Sequence, residues 1–529
     1  MGRGPHVSQP PAVVWLPAAL IAVIVLLPLL YLVLRTLGAG GEAWDLLFRA
    51  RTLEIIGRTI ILVIAVTGVS VAVSLPLAWL TTRTDLPFRR AWSVLTVLPL
   101  VIPSYVAGFV VIATLGPKGM LQQLLAGPFG LERLPEIYGF TGALLTITIV
   151  TYPYVLLTLQ ASMRRLDPGL EEASRSLGHG AWGTFRRVTL PQLRPAIAAG
   201  SLLVALYTLR DFGAVSLMRY ETFTWAIYLQ YQTSFDRMLA AALSLVLVVV
   251  AVVILFIEFR TRGRAKYHRS TVGVTQPPAY TRLNRWRWPA LGFCTLVVLL
   301  ALVMPMSVLG YWLVRGISAG ESLRLVWSSA LNSGYVSVLV AVVTAVAALP
   351  VAVLAVRYSG RISGLLERAT YIGFALPGIV IALALVFFGA NYATPIYQTL
   401  GLLIFAYVIM FLPQAVGSTR SSLLQVSPRV EEAARSLGRT PLQTLVTVTL
   451  PLVRPGILAG AALVFLTTMK ELPATLLLSP IGFKTLATSI WSATSEAFFA
   501  RAAAPALLLI LISSVPMAFL VIRERRRQQ

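Results

Sequence analysis

Charge is what this sequence has least of. Only 12% of its 529 residues are Asp, Glu, Lys or Arg, against about 25% in an ordinary soluble domain. So little polar surface cannot coat a water-soluble globule of this size. Acidic residues are the scarcer sign: 20 Asp and Glu face 44 Lys and Arg, a formal net charge of +24. Cysteine occurs once, as Cys294 inside an apolar run, which excludes an intramolecular disulfide and fits a small buried hydrophobe. Histidine occurs three times, at His6, His179 and His268, all outside the apolar runs, so no cluster with metal-site spacing is present. The G-x-x-x-x-G-K-[ST] phosphate loop is missing, so the chain has no visible means of binding ATP. The ten methionines are scattered, as gap-filling side chains are, and mark no copper path.

What is abundant is apolar sequence, 57% of the chain, with a mean hydropathy of +0.80. It is arranged in runs of about 20 residues, the length that spans a bilayer as a helix. Lipid offers no partner to backbone polar groups, so a spanning segment must be a helix or part of a closed barrel. These runs are continuous and do not alternate, which predicts helices and an all-α integral membrane protein. Spans are expected at residues 12–34, 55–80, 92–115, 141–160, 196–218, 239–257, 289–314, 334–356, 370–388, 399–419, 456–478 and 502–522. The first run, Trp15 to Leu34, follows a short basic N-terminus but has no small-residue cleavage site, so it reads as a retained span.

The excess positive charge lies between the runs and at the tail. Arg260, Arg262, Arg264, Lys266 and Arg269 sit in one connector, and Arg523, Arg525, Arg526 and Arg527 close the chain. Basic loops alternate with loops of little net charge, such as 116–140 and 388–398. The positive-inside bias therefore puts both termini and the connector in the cytoplasm, and it accounts for the charge without nucleic acid.

Residues 168–200 align without a gap to residues 428–460, with 18 identities in 33 positions. Pro76 answers Pro350 further upstream. About six spans separate the copies, so both have one membrane orientation, and the repeat is parallel, about an axis along the membrane normal. The repeated segment is polar. One copy reads EEASRSLGHGAWGTFRRVTLPQLRPAI and the other EEAARSLGRTPLQTLVTVTLPLVRPGI. Asp167-Pro168 and Ser427-Pro428 are helix-start signals, and Gly178 and Gly438 suit a left-handed helix cap. Two short helices about a glycine turn are expected, the second stopping at the Leu-Pro pair. An amphipathic loop lying on the membrane would not demand such matched spacing.

This pattern resembles the EAA loop of ABC importer permeases. Glu172, Ala173, Gly178, Leu190 and Pro191 match in the first copy, and Glu432, Ala433, Gly438, Leu450 and Pro451 in the second. Val188 and Val448 replace the usual Ile, and Ser174 replaces an Ala that Ala434 keeps. The resemblance implies a type I importer permease with two fused six-helix halves, each loop docking into one copy of a separate ATPase. ATP and Mg would be used by that partner and no cofactor bound by this chain. The expected divisions are residues 1–54 (tail and first span), 55–258 (first permease domain), 259–288 (basic connector), 289–330 (seventh span and loop), 331–522 (second permease domain) and 523–529 (cytoplasmic tail).

The fifth expected span of each half carries a charged pair at matching positions, Arg210-Asp211 and Lys470-Glu471. Ionisable residues at membrane depth line a path or pair with one another. On a continuous helix adjacent residues point about 100° apart, so Asp211 and Glu471 are taken to face the path, with Arg210 and Lys470 turned away. The surrounding segments, DFGAVSLMRYETFTWAIY and MKELPATLLLSPIGFKTLATSIW, are similar to those of bacterial ferric-iron importer permeases. Hard oxygen ligands for such an ion exist in Asp211, Glu471, Tyr220 and Glu221. The resemblance implies an inner-membrane location and an extracytoplasmic solute-binding protein that selects the ion. Permeases for thiamine, polyamines or phosphonates share the loops. A secondary transporter would need no such loops, and a membrane enzyme would need a catalytic constellation that the two charged pairs do not form.

Overall fold

The computed structural model describes residues 11–38, 49–164, 166, 168–233, 237–261, 280–321, 324–358 and 360–528. His6, Asp167, His268 and the connector's Arg262, Arg264, Lys266 and Arg269 lie outside them. Among the described residues the regular structure is helical, and the only β contact is an isolated parallel bridge from Thr84 to Thr281.

In the first half α1 covers Ala12–Gly38, α2 Ala50–Arg83, α3 Ser104–Leu115 and α4 Phe140–Met163. The short α5 (Pro168–Ser176) follows, then α6 (Leu190–Arg210), α7 (Gly213–Leu217), α8 (Phe223–Thr233) and α9 (Arg237–Thr261). The second half opens with a long rod, α10 (Asn284–Ser318). It continues with α11 (Arg324–Arg357), α12 (Arg361–Ala375), α13 (Gly378–Tyr392) and α14 (Leu400–Leu423). Then come α15 (Pro428–Ser436), α16 (Leu450–Met469), α17 (Pro473–Leu478), α18 (Leu486–Ser495) and α19 (Phe499–Gln528).

Among the described residues nine helices are long and apolar enough to cross a membrane, or ten if α12 and α13 form one bent span. Shorter apolar stretches, Ala240–Ile254 and Phe499–Val515, occupy the sixth and twelfth expected places. The expected third and fifth spans are interrupted in both halves. At the third, proline forces the preceding residue out of helical backbone: Ile102 has ψ 121° before Pro103, and Leu376 has ψ 129° before Pro377. At the fifth, the helix ends at Arg210 in one half and Met469 in the other, and a short helix restarts at Gly213 and at Pro473.

Each half is built on a three-helix bundle, α2 with α4 and α6, and α11 with α14 and α16. Glycine allows the close crossing of the last two helices, as small residues do where helices pack in lipid. A Cβ on Gly200 would lie 2.8 Å from the Val155 backbone, and one on Gly460 3.1 Å from that of Ala415. The leading helices are exchanged. α1 packs on α11, α12 and α13 of the second half, while Ala290, Cys294 and Ala301 of α10 join the first half's core.

Candidate coupling surface and translocation path

The repeated loops form two knobs of one shape. α5 and α15 each end in a glycine with φ +85° at Gly178 and +84° at Gly438, the left-handed conformation that other residues reach only with strain. The following amide closes each cap from outside the helix, His179 onto the Ser174 carbonyl at 3.3 Å and Arg439 onto that of Ala434 at 3.2 Å.

The expected stop at Leu-Pro is absent. From Trp182 to Arg210, and from Pro441 to Met469, the chain is one continuous helix. Pro191 and Pro451 lack the N–H that an α-helical turn needs, and a wider turn over Phe185–Thr189 and Leu445–Thr449 absorbs the defect. Leu190 donates to the Phe185 carbonyl across that turn, and Leu450 to Leu445. The fifth span of each half is therefore a direct extension of its knob.

Of the matched residues, Glu172, Ala173 and Gly178 are exposed, as are Glu432, Ala433, Gly438 and Pro451. Leu190, Pro191 and Leu450 are half-buried at the roots. The sequence reading missed two sets of residues. Leu177 and Leu437 are the most exposed apolar side chains of the knobs, at 78% and 84%. Glu171 and Glu431, the first members of the Glu-Glu pairs, turn inward. Glu431 accepts from Arg357 Nε at 3.0 Å and from Thr449 Oγ1 at 3.0 Å. Glu171 accepts from Thr189 Oγ1 at 3.1 Å, while Arg83 Nη2 stands 4.0 Å away. These carboxylates tie each knob to the end of α2 or α11. The doubled glutamate and the shared Val-Thr-Leu-Pro were the available signals.

The charged pairs do not lie on continuous helices, as the 100° argument assumed. Asp211 has extended backbone, φ −64° and ψ 131°, and its carboxylate caps α7 by accepting from the amides of Ala214 at 2.9 Å and Val215 at 3.4 Å. The Ser104 hydroxyl at the start of α3 acts on it electrostatically. Glu471 caps α17 through the Ala474 amide at 3.3 Å. Its longer side chain needs room where the first half has Ser104, and the repeat places Gly378 there. A Cβ on Gly378 would lie 2.5 Å from Glu471 Oε1. Lys470 Nζ reaches across to the Leu100 carbonyl of the other half at 3.4 Å, and Arg210 and Glu471, from opposite halves, act on each other electrostatically. Asp211 is buried, whereas Arg210, Lys470 and Glu471 are half-buried. The four groups thus gather where the broken third and fifth spans of both halves meet.

Tyr220 and Glu221 are engaged elsewhere. The Tyr220 hydroxyl donates to the Arg58 carbonyl at 3.2 Å, and Glu221 pairs with Arg51 at 2.9 Å, both on the first turns of α2. Among the described residues no three His, Cys, Asp or Glu converge to hold a metal.

Residues 74–262 and 345–529 each match the family model described as the binding-protein-dependent transport system inner membrane component. The chain is 38% identical over 517 residues, 97% of its length and 98% of the relative's, to the Fe(3+)-transport system permease protein FbpB 2 of Haemophilus influenzae. It is 25% identical over 477 residues, 85% of its length and 68% of the relative's, to the ferric transport system permease protein FbpB of Actinobacillus pleuropneumoniae. The molybdenum transport system permease protein ModB of Escherichia coli is 30% identical over 211 residues, which is 38% of this chain but 91% of that one. Two matched domains, two knobs and similarity along the whole length agree: this chain is a fused double-domain permease of the binding-protein-dependent transport system inner membrane component family.

Proposed function

We propose that this chain carries ferric iron across the bacterial inner membrane, driven by two copies of a separate ABC ATPase, after delivery by an extracytoplasmic solute-binding protein. The observation that carries the substrate is the 38% identity to a Fe(3+) permease along 97% of the chain. The match to the molybdenum permease covers one half only and is accounted for by the shared domain.

Each knob offers one ATPase an exposed edge, Glu172-Ala173 with Gly178, or Glu432-Ala433 with Gly438, and Leu190-Pro191 or Leu450-Pro451 carries the push into the fifth span. ATP and Mg act on the partner, and this chain supplies no catalytic group. The start of α1 lies beside the second knob, and the end of the connector beside the first. That placement supports cytoplasmic knobs, connector and N-terminus, in accord with the positive-inside bias.

Asp211 and Glu471 offer transient oxygen ligands to a hard cation, and Arg210 and Lys470 offset their charge so that the ion is not trapped. The test is ATP-dependent ferric uptake into proteoliposomes holding permease, ATPase and binding protein. Replacing both Gly178 and Gly438 by valine should abolish uptake while ATP hydrolysis continues. Normal uptake by that variant would refute the coupling assignment, and uptake of another solute in place of iron would refute the substrate.

A further inference from the structure

Beside the first knob lies a cavity of about 840 Å3, within the roughly 300–1,000 Å3 of small-molecule sites. Its floor is apolar, formed by Leu75, Pro76 and Trp79 of α2, by Phe185, and by Phe293 of α10. Among the described residues its polar lining is basic, with Arg83, Arg175 and Arg282 against the carboxylate of Glu171, which is already engaged by Thr189.

Arg83 is only 4% exposed. Its Nη2 reaches the Leu166 carbonyl at 3.4 Å, and its Nε and Nη1 have no hydrogen-bond partner among the described residues. The Glu171 carboxylate stands 4.0 Å from Nη2, too far to meet those donors, and burying unmet donors of a cation is costly. The other half shows what satisfaction looks like. Arg357 gives Nε to Glu431 at 3.0 Å and Nη2 to the Val426 carbonyl at 3.0 Å. The cavity there is about 250 Å3 and is lined by Pro11, Val13 and Val14 at the start of α1.

We propose that the larger cavity binds one anionic phospholipid of the cytoplasmic leaflet. The phosphate would meet Arg83, Arg175 and Arg282, and an acyl chain would lie on Trp79 and Phe293. Trp79, Trp182 and Trp286 place three indoles around the cavity, the residue type that marks a membrane–water interface. Basic pockets between spanning helices on this side of a membrane take anionic headgroups. Free phosphate would satisfy the arginines but leave the apolar floor unfilled. The bound lipid would join the end of α2, the first knob and α10, doing there what Glu431 and the start of α1 do in the second half. The leaflet rests on the orientation proposed above, which a reporter in the connector near Ser270 tests independently.

The permease–ATPase complex, purified in detergent with equimolar phosphatidylglycerol and phosphatidylcholine, can be weighed by native mass spectrometry. One retained phosphatidylglycerol is expected, weakened about fivefold for each arginine removed. Because replacing buried Arg83 can disturb folding, Arg175→Gln is paired with its repeat equivalent Arg435→Gln. Loss of retention from R175Q but not R435Q supports the site. Equal retention of the two lipids, equal losses from the two variants, or displacement by inorganic phosphate alone would overturn it.

Discussion

In the second half, Glu431 is anchored by Arg357 and by Thr449, and the charges are nearly enclosed at 12% and 10% side-chain exposure. In the first half, the same backbone carries Glu171 with Thr189 alone at bonding distance and Arg83 at 4.0 Å. Smaller ties reverse the inequality. Ser174 bonds Thr184 at 3.2 Å, while the corresponding Thr444 hydroxyl, facing Ala434, has no partner among the described residues. Two copies of one loop therefore keep one shape by different side chains. The duplicated backbone is alike in the two copies, and the side chains that support it differ.

The largest effect should come from breaking the stronger tie. Glu431→Ala strands the half-buried guanidinium of Arg357 and should cost about 3 kcal/mol, whereas Glu171→Ala, whose carboxylate lies beyond bonding distance of Arg83, should cost at most half as much. Thermal unfolding of the purified variants measures both, and equal losses would remove the asymmetry. The crossing glycines come next. Gly200→Val and Gly460→Val each push a side chain into a neighbouring backbone, at about 1–3 kcal/mol, with Gly200→Val the worse because its clash is closer. Yield of folded permease per cell reads that order.

The broken spans offer a functional contrast. Asp211→Asn with Glu471→Gln should lower ferric uptake while the complex assembles and hydrolyses ATP. Wild-type uptake, or failure to assemble, would make these carboxylates helix caps only. The smallest effect should follow from exchanging the minor tie. Ser174→Ala should cost, and Ala434→Ser should gain, about 0.5–1.5 kcal/mol, visible as opposite shifts in unfolding temperature.

Most of the architecture was legible because lipid imposes long apolar helices and a gapless repeat exposes itself. The glycine turns were legible for the same local reason, since few residues other than glycine tolerate φ near +85°. What escaped depends on pairings distant in sequence. Hydropathy runs smoothly through Asp211 and Glu471, so nothing local showed that these residues start new helices. The Leu-Pro pairs read as stops because a wide turn that admits proline has no sequence signature of its own. The inward Glu171 and Glu431 could not be told from the outward Glu172 and Glu432 without Arg83 and Arg357, which lie 88 and 74 positions upstream. The exchange of α1 and α10 between halves is likewise a matter of tertiary packing.

The central claim is that both knobs dock an ATPase. Leu177→Cys and Leu437→Cys, in a chain with Cys294→Ala, place single thiols on the most exposed apolar residue of each knob. Cross-linking in the assembled complex should capture one ATPase from each single variant and two from the double variant. Capture from one knob only, or from neither in a complex that still transports, would contradict it.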